Sequence, residues 1–225
     1  MLSVENLTKK YDKKHGINSI SLNMEAGKVY SVIGPNGSGK TTLINSIAGL
    51  LKPDSGKILL NGEPTIFRSS KVNIGYALDE HDTYPDMTLI EMLQMIDEIK
   101  YNSSNNAQIE QLLTDFGLWN ERYKLFKECS LGMKKKLGIC ISFLVNPPLI
   151  LLDEPTNGID TMGVIMLKKE ILEAKENGST VIVTSHILDF VDKVADMSFF
   201  LKDGELVKAV GNDKPLENVY KMLYL

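Results

Sequence analysis

The sequence predicts an α/β fold built around a doubly wound, mainly parallel sheet. Four apolar runs rich in β-branched residues are typical of strands buried on both faces, and they lie at Val29–Ile33, Leu149–Asp153, Val181–Ser185 and Met197–Leu201. Helical patterns lie between or after these runs, at Lys40–Leu50, Thr161–Asn177 and Ile187–Ala195. Because strands and helices alternate, a layered core with helices packed on the sheet is expected.

Two regions depart from this alternation and predict additions to the core. Short strands separated by turns at Gly56–Pro64 favour a small antiparallel sheet near the front of the chain. Residues 79–146 are mostly helical in pattern, apart from a polar loop at Asn102–Gln108. We therefore predict one domain over residues 1–225, with a core and β-subdomain at 1–78 and 147–225 and a helical subdomain at 79–146.

Composition and charge are those of an ordinary globular protein. The 225 residues carry 25 Lys and Arg against 29 Asp and Glu, which gives 25 − 29 = −4. A net negative charge supplies no overall attraction to nucleic acid, so no nucleic-acid partner is expected. Cys129 and Cys140 belong to no metal-binding or redox spacing, and we expect free thiols in a reducing compartment.

Neither a secretory signal nor a membrane span is expected. The first residues lack the apolar core of a signal peptide. The apolar stretch nearest to a membrane span is interrupted by Pro147 and Pro148, and it falls short of the roughly 18 residues that a transmembrane helix requires.

A complete phosphate-binding loop follows the first predicted buried strand. Gly34 is separated by four residues from Gly39-Lys40-Thr41, which is the P-loop pattern G-x-x-x-x-G-K-[ST]. The glycines allow successive backbone N–H groups to turn towards an anion, and the helix that follows adds its positive end. Lys40 is expected to reach the β- and γ-phosphates, and Thr41 to offer its hydroxyl to Mg²⁺.

Two adjacent carboxylates end another predicted strand, where α/β folds bind their ligands. Asp153 is a candidate for the Mg²⁺ coordination sphere, and Glu154 is a candidate to polarise an attacking water. His186 directly follows the strand of residues 180–185 and is a candidate for contact with the γ-phosphate. His15 and His81 lack such a context and are interpreted as surface residues.

These motifs and their order resemble the nucleotide-binding subunit of an ATP-binding cassette (ABC) transporter over nearly the whole chain. The resemblance implies that Glu154 is the catalytic glutamate, His186 the switch histidine and Lys40 a catalytic lysine. It also implies that Tyr11 stacks on adenine. The full set of nucleotide contacts that it implies is Tyr11, Gly34, Asn36, Gly37, Ser38, Gly39, Lys40, Thr41 and Thr42.

The segment from Cys129 to Gly138 resembles the family's signature motif in a variant found among bacterial exporters of drugs and antimicrobial peptides. The resemblance implies that Ser130, Gly132 and Met133, with Asp160 of the D-loop, meet the nucleotide held by a second subunit. Leu131 and Met133 depart from the usual glycine and glutamine of the motif. Lys134 to Lys136 point in directions about 100° apart on a helix, so one or two at most face the nucleotide and the others are interpreted as solvated.

A second departure falls on the loop that usually carries a glutamine near Mg²⁺ and the attacking water. Asp79 takes that place here, with Glu80 adjacent. A carboxylate can ligate Mg²⁺, so Asp79 is a third candidate metal ligand beside Thr41 and Asp153; an outward-facing Asp79 is the alternative. Residues 83–96 that follow are the candidate transmission region, although their Met and Leu spacing also fits a helix core.

The resemblance implies an ATPase that uses ATP and Mg²⁺, closes head to tail as a homodimer or heterodimer, and drives export through separate transmembrane permease subunits. The chain would then be a cytoplasmic protein, peripheral on the cytoplasmic face of the membrane. Two alternatives stay open: an ATP-dependent switch with weak hydrolysis, and a non-transport cassette acting on ribosomes or DNA.

Overall fold

A computed structural model describes residues 2–12, 15–64, 74–77, 84–101, 105–211 and 215–225. The strands are β1 Leu2–Lys10, β2 Gly16–Met24, β3 Val29–Ile33, β4 Ser55–Leu60, β5 Glu63–Pro64, β6 Ile74–Tyr76, β7 Leu149–Leu152, β8 Thr180–Thr184, β9 Met197–Lys202 and β10 Glu205–Gly211. The α-helices are α1 Lys40–Ile47, α2 Leu89–Tyr101, α3 Asn106–Asp115, α4 Leu131–Phe143, α5 Thr161–Glu176, α6 Leu188–Val191 and α7 Leu216–Tyr224. Short 3-10 helices lie at Trp119–Glu121 and Phe126–Glu128.

The larger sheet of the described residues has the order β10-β9-β3-β8-β7-β6. Strands β9, β3, β8, β7 and β6 are parallel to their neighbours, and β10 runs antiparallel to β9. Every residue of β3, β7 and β8 is buried, because both faces of this parallel sheet are covered by other elements. The predicted α/β class with a parallel core is confirmed.

A second, antiparallel sheet has the order β2-β1-β4-β5. Its apolar side chains, with those of α1 and one face of the larger sheet, form one core cluster. Helices α2, α3 and α4 lie in the chain between β6 and β7, and their apolar faces join the other core cluster. The predicted boundary at residues 78–79 lies outside the described residues, and the division there and at 146–147 stays a prediction.

One predicted helix and one predicted loop are wrong in extent. The predicted helix Ile187–Ala195 contains only α6 and then continues in tight turns, with Lys193 N bonded to Phe190 O and Val194 N to Val191 O. The predicted loop at Asn102–Gln108 overlaps α3, because the Asn105 side chain caps that helix by accepting from Gln108 N. Its first part, residues 102–104, lies outside the described residues.

Candidate functional site

The candidate site lies where three parallel strands of the larger sheet end side by side. Strand β3 leads into the phosphate loop, β7 into Asp153 and Glu154, and β8 into Ser185 and His186. Because β3 pairs with β8 and β8 with β7 in parallel, their carboxyl ends meet at one edge. The candidates from distant parts of the sequence therefore come together as the motif spacing predicted.

Glycine is required at three positions of the phosphate loop. Gly37 and Gly39 have φ of 82° and 102°, a left-handed conformation that other residues rarely adopt. Gly34 has a different reason: a Cβ there would lie 2.5 Å from both Leu201 O and Ser38 Oγ. Ser38 is 3% exposed, and its buried hydroxyl finds no hydrogen-bond partner among the residues that the structure describes. An unsatisfied buried hydroxyl inside a loop of this kind is suited to a polar ligand.

Lys40 folds back over the loop that precedes it. Its Nζ donates to Gly34 O at 2.8 Å and to Pro35 O at 3.3 Å, and it lies 3.7 Å from Glu154 Oε1. The side chain is only 7% exposed, so its charge is held at the floor of the site. A buried ammonium with carbonyl partners is well placed to attract phosphate.

One buried hydroxyl connects the two acidic residues of the site. Thr184 at the end of β8 donates to Asp153 Oδ1 and accepts from Glu154 N at 2.8 Å. Thr184 was not a sequence-based candidate. The signal was its place at the end of a strand that is parallel to the one ending in Asp153.

Glu154 has a left-handed backbone with φ of 45°, which costs free energy for a residue other than glycine. In this conformation the Glu154 carboxylate lies close to two other candidate site residues, His186 and Lys40. Its Oε2 lies 2.8 Å from His186 Nδ1, while Oε1 faces Lys40. The Glu154 side chain is 20% exposed, so it lies at the boundary between the core and the open site.

A cavity of about 390 Å³ opens above the phosphate loop. It is lined by Tyr11, His15, Gly16, Asn36, Gly37, Gly39, Lys40, Thr41, Thr42 and Glu154. The Tyr11 side chain is 60% exposed at its rim, as a ring that stacks on a base needs to be. The concave shape and mixed lining are those of a small-molecule site.

His15 is exposed at the surface, as the sequence predicted, and it also lines this cavity. Its Nδ1 lies 2.6 Å from Asp12 Oδ2, and its backbone N–H donates to Asp12 Oδ1. The short loop is closed further by Tyr11 N, which donates to His15 O. The proximity of His15 to the predicted base-stacking tyrosine was the signal in the sequence. His81 lies outside the described residues.

The signature segment uses several of its own groups internally. Ser130 caps α4, and its Oγ accepts from Met133 N at 3.3 Å. Gly132 packs on the loop after β7, where a Cβ would lie 2.9 Å from Gly158 O. The Met133 side chain is half-buried against the larger core cluster. These three residues are not among those lining the cavity that the described part of the chain forms.

The three lysines that follow are half-buried, and each keeps part of its surface in contact with solvent. Lys134 Nζ lies 4.8 Å from the centre of the Phe126 ring. Lys135 passes along the loop at Gly158, and Lys136 Nζ pairs with Asp160 Oδ2 at 2.8 Å. The predicted solvated surface is therefore only part of their role, since two of them also join the signature helix to the loop after β7.

Asp160 has both carboxylate oxygens engaged within the chain. Oδ2 pairs with Lys136, and Oδ1 accepts from Gly163 N at 2.7 Å at the start of α5. The hydrogen bond from Lys136, followed by the one from Gly163, lowers the pKa of Asp160. The carboxylate thus fixes the loop before α5 in place.

The structure describes two of the candidate metal ligands but not the third. Thr41 lines the cavity, and Asp153 lies at the neighbouring strand end, whereas Asp79 and Glu80 lie outside the described residues. No group of three His, Cys, Asp or Glu side chains within the described ranges is arranged to hold a metal ion. Mg²⁺ needs fewer protein ligands, because it usually binds one or two carboxylates together with water and substrate phosphates. Thr41 and Asp153 fit that requirement.

This combination of a phosphate loop, a buried lysine and acidic strand ends defines the class of P-loop nucleotide-binding ATPases. The family profile described as ABC transporter matches residues 17–157. The chain belongs to the ABC transporter family and is an ATP-binding, ATP-hydrolysing subunit, as its motifs predicted.

Relatives and solved structures agree with this assignment. The chain is 35% identical to the lantibiotic transport ATP-binding protein SrtF of Streptococcus pyogenes over 98% of this chain and 96% of that protein. It is 35% identical to the bacitracin transport ATP-binding protein BcrA of Bacillus licheniformis over 95% of this chain and 70% of that protein. A solved ATP-binding subunit of an ABC transporter superposes with a TM-score of 0.90 at 26% identity, and the match covers 100% of both chains. Among the described residues, none of the helices has the length and apolar character needed to cross a membrane.

Proposed function

We propose that ATP occupies the cavity above the phosphate loop and is hydrolysed there by a constellation centred on Glu154. The observation that carries this proposal is the position of one carboxylate between Lys40 and His186, at 3.7 Å and 2.8 Å. The triphosphate lies against Lys40 and the loop's backbone N–H groups. The adenine stacks on Tyr11, and His15 lies beside the same nucleoside.

Each side chain has a separate task in this mechanism. Glu154 accepts a proton from the water that attacks the γ-phosphorus, while the bond from that phosphorus to the bridging oxygen breaks and ADP leaves. His186 holds the carboxylate through Nδ1, and Lys40 offsets charge on the phosphoryl oxygens. Thr184 fixes the backbone of Glu154 and the carboxylate of Asp153.

Mg²⁺ is the proposed cofactor, held by Thr41 and Asp153. When bound, such an ion neutralises phosphate charge and orients the chain of phosphates. Asp79 is retained as a third proposed ligand on its sequence position alone.

We propose further that two cassettes close head to tail around the nucleotides. The signature residues Ser130, Gly132 and Met133 do not line the chain's own cavity as formed by the described residues, so a second subunit must bring them to a nucleotide. Ser130 sits at the positive end of α4, where an anion is favoured. Whether the second cassette is identical or different is decided by the partner available in the cell.

The proposed transmembrane partner docks on an apolar groove of about 330 Å³ that shares no lining residue with the nucleotide cavity. The groove is lined by Ala48, Leu50, Ile74, Tyr76, Tyr84, Met95, Ile96, Ile99, Lys100 and Ile141. Tyr84, Met95 and Ile96 belong to the candidate transmission region, whereas Met92 and Leu93 of the same helix are core residues. Ile99 is 75% exposed, which is typical of a surface that a partner covers. Docking there would hold the chain at the cytoplasmic face of the membrane.

The transported substrate is proposed to be an antimicrobial peptide moved outwards. The names of SrtF and BcrA, which refer to lantibiotic and bacitracin transport, support this choice. Co-expression with the cognate permease should raise the resistance of sensitive cells to peptides of these classes. Unchanged resistance to all of them would refute this substrate class while leaving the ATPase intact.

Glu154→Gln tests the catalytic assignment. The variant should lose steady-state phosphate release and accumulate an ATP-stabilised dimer on size-exclusion chromatography, because the amide cannot accept the water proton. Glu176→Gln, at an exposed position near the end of α5, is the matched control and should retain wild-type turnover. Hydrolysis by Glu154→Gln at the wild-type rate would contradict the role given to Glu154.

A further inference from the structure

The start of the phosphate loop packs against a carbonyl group of the neighbouring strand β9. Gly34 approaches Leu201 O so closely that a Cβ would lie 2.5 Å from that oxygen. Leu201 lies in β9 and is fully buried, as is Ile33 immediately before the loop. A shift of the Leu201 carbonyl towards the loop is therefore expected to displace Gly34, since there is no room for even a methyl group between them.

The C-terminal helix α7 supplies the hydrogen bond that holds this carbonyl. The Tyr224 hydroxyl donates to Leu201 O at 2.8 Å and also lies 3.4 Å from Ile33 O. Both oxygens flank the start of the phosphate loop. Tyr224 and Ile33 are 191 residues apart in the sequence, so no local sequence pattern could have predicted this contact.

Several contacts fix the Tyr224 side chain in this position. Its ring lies 4.6 Å from that of Tyr220 and 6.4 Å from that of Phe200, measured between centroids. Lys202 Nζ donates to Leu223 O at 3.0 Å and ties the helix end to β9. Burial raises the pKa of Tyr224 to about 12, so the hydroxyl keeps its proton at neutral pH and remains a donor.

The same loop is supported on its other side by the turn between β9 and β10. Gly204 N donates to Ser38 O at 3.1 Å, and Gly204 O accepts from Asn18 N at 2.8 Å. Asp203 and Gly204 both have positive φ, as a tight two-residue hairpin requires. The phosphate loop is thus held from below by β9, its hairpin turn and α7 together.

We propose that Tyr224 is a positioning residue for nucleotide binding, which acts by fixing the carbonyl on which Gly34 and the phosphate loop rest. The inference rests on the proposed placement of ATP in that loop. Without the hydroxyl, Leu201 O loses its partner inside the core and turns to find another. Gly34 then moves, and with it the carbonyl to which Lys40 Nζ is bonded. The backbone N–H groups of the loop and the Lys40 ammonium are then displaced from the positions that bind the phosphates.

The test compares Tyr224→Phe with Tyr220→Phe, two removals of a hydroxyl one helical turn apart in α7. Tyr224→Phe should raise the Kd of ATP and ADP three- to tenfold in a titration with fluorescent nucleotide. KM for ATP should rise in parallel while kcat at saturation stays within twofold of wild type. Tyr220→Phe should keep wild-type affinities, because it leaves the hydrogen bond from the Tyr224 hydroxyl to Leu201 O intact.

Thermal unfolding without nucleotide shows whether Tyr224 positions the phosphate loop or only stabilises the fold. Loss of stability in Tyr224→Phe with an unchanged Kd would overturn the inference, as would equal changes of Kd in both variants. If Tyr224→Phe does not fold, Lys202→Met is measured in its place, because it removes the hydrogen bond to Leu223 O and loosens the same end of α7. A raised Kd for ATP in Lys202→Met supports the inference, and an unchanged Kd overturns it. Failure of the wild-type chain to bind ATP would instead refute the proposed site itself.

Discussion

Thr184→Val removes the one hydroxyl that connects the two acidic residues of the site. The substitution keeps the shape and β-branching of the side chain in β8, where the residue is fully buried. It deletes the donor to Asp153 Oδ1 and the acceptor for Glu154 N. The strained backbone of Glu154 then lacks the bond that holds it in the left-handed region.

The loss of these two hydrogen bonds sets the expected decrease in the free energy of unfolding. A hydrogen bond to a charged group contributes about 1.5–3 kcal/mol, and a buried N–H left without a partner costs about 1–3 kcal/mol. Both acidic residues are partly exposed, so water replaces part of the loss, and we expect a net destabilisation of about 2 kcal/mol. If the same free energy orients Glu154 for proton transfer, kcat falls about 30-fold. KM for ATP should change little, since Lys40 and the phosphate loop are untouched.

Phosphate release at saturating ATP and thermal unfolding measure the two effects on the same preparation. Thr184→Ser is the matched control, because it retains the hydroxyl and should recover most of the turnover. The reasoning is refuted if Thr184→Val hydrolyses ATP at the wild-type rate. It is equally refuted if Thr184→Ser is as impaired as Thr184→Val, since the defect would then come from packing.

Three further predictions follow from other contacts. Lys136→Met breaks the ion pair with Asp160, which should weaken ATP-dependent dimerisation in analytical ultracentrifugation while the Kd of ATP for the single chain is unchanged. Burial, with the neighbouring charge of Glu173, raises the pKa of Glu170 to about 7 from an ordinary value of 4.5, so the folded state binds the proton more tightly than the unfolded chain. Its contribution to stability is therefore present below about pH 4.5 and lost as pH rises through 7, a change of order 1 kcal/mol after solvent screening, and Glu170→Gln should flatten that part of a pH series of urea melts. Ile99→Glu places a charge in the docking groove, so co-purification with the permease should fail while the ATPase of the isolated chain persists.

The parts of the molecule that could be predicted from sequence are those whose signals are local. The phosphate loop and the buried parallel strands are continuous runs in the chain, so their residue types were sufficient to predict them. Strands β1 and β2 gave no comparable signal, because irregular register near Leu7 interrupts the alternation of side chains. Asn6 and Ser19 have positive φ within these strands, which places them outside ordinary strand geometry.

The supporting contacts of the site could not be predicted, because they join residues that are far apart in the sequence. Thr184 reaches Asp153 across 31 positions, and Tyr224 reaches Leu201 across 23. Each bond depends on the register of neighbouring strands or on the packing of α7, and neither leaves a pattern in one segment. The proposed catalytic residues were identifiable by motif, whereas the residues that hold them were not.

The contacts around the signature helix suggest why this chain departs from the usual motif at Leu131 and Met133. The Ser130 side chain caps its own helix, and the Asp160 carboxylate is used by Lys136 and Gly163. The exposed helix terminus, with its backbone N–H groups and the hydroxyl hydrogen of Ser130, is left to face a second subunit. Because the Met133 side chain packs against the core, a glutamine there would lose apolar contacts before it gained a polar one. The position of the helix, fixed through the loop at Gly158, therefore matters more to the proposed dimer than the identity of either departing side chain.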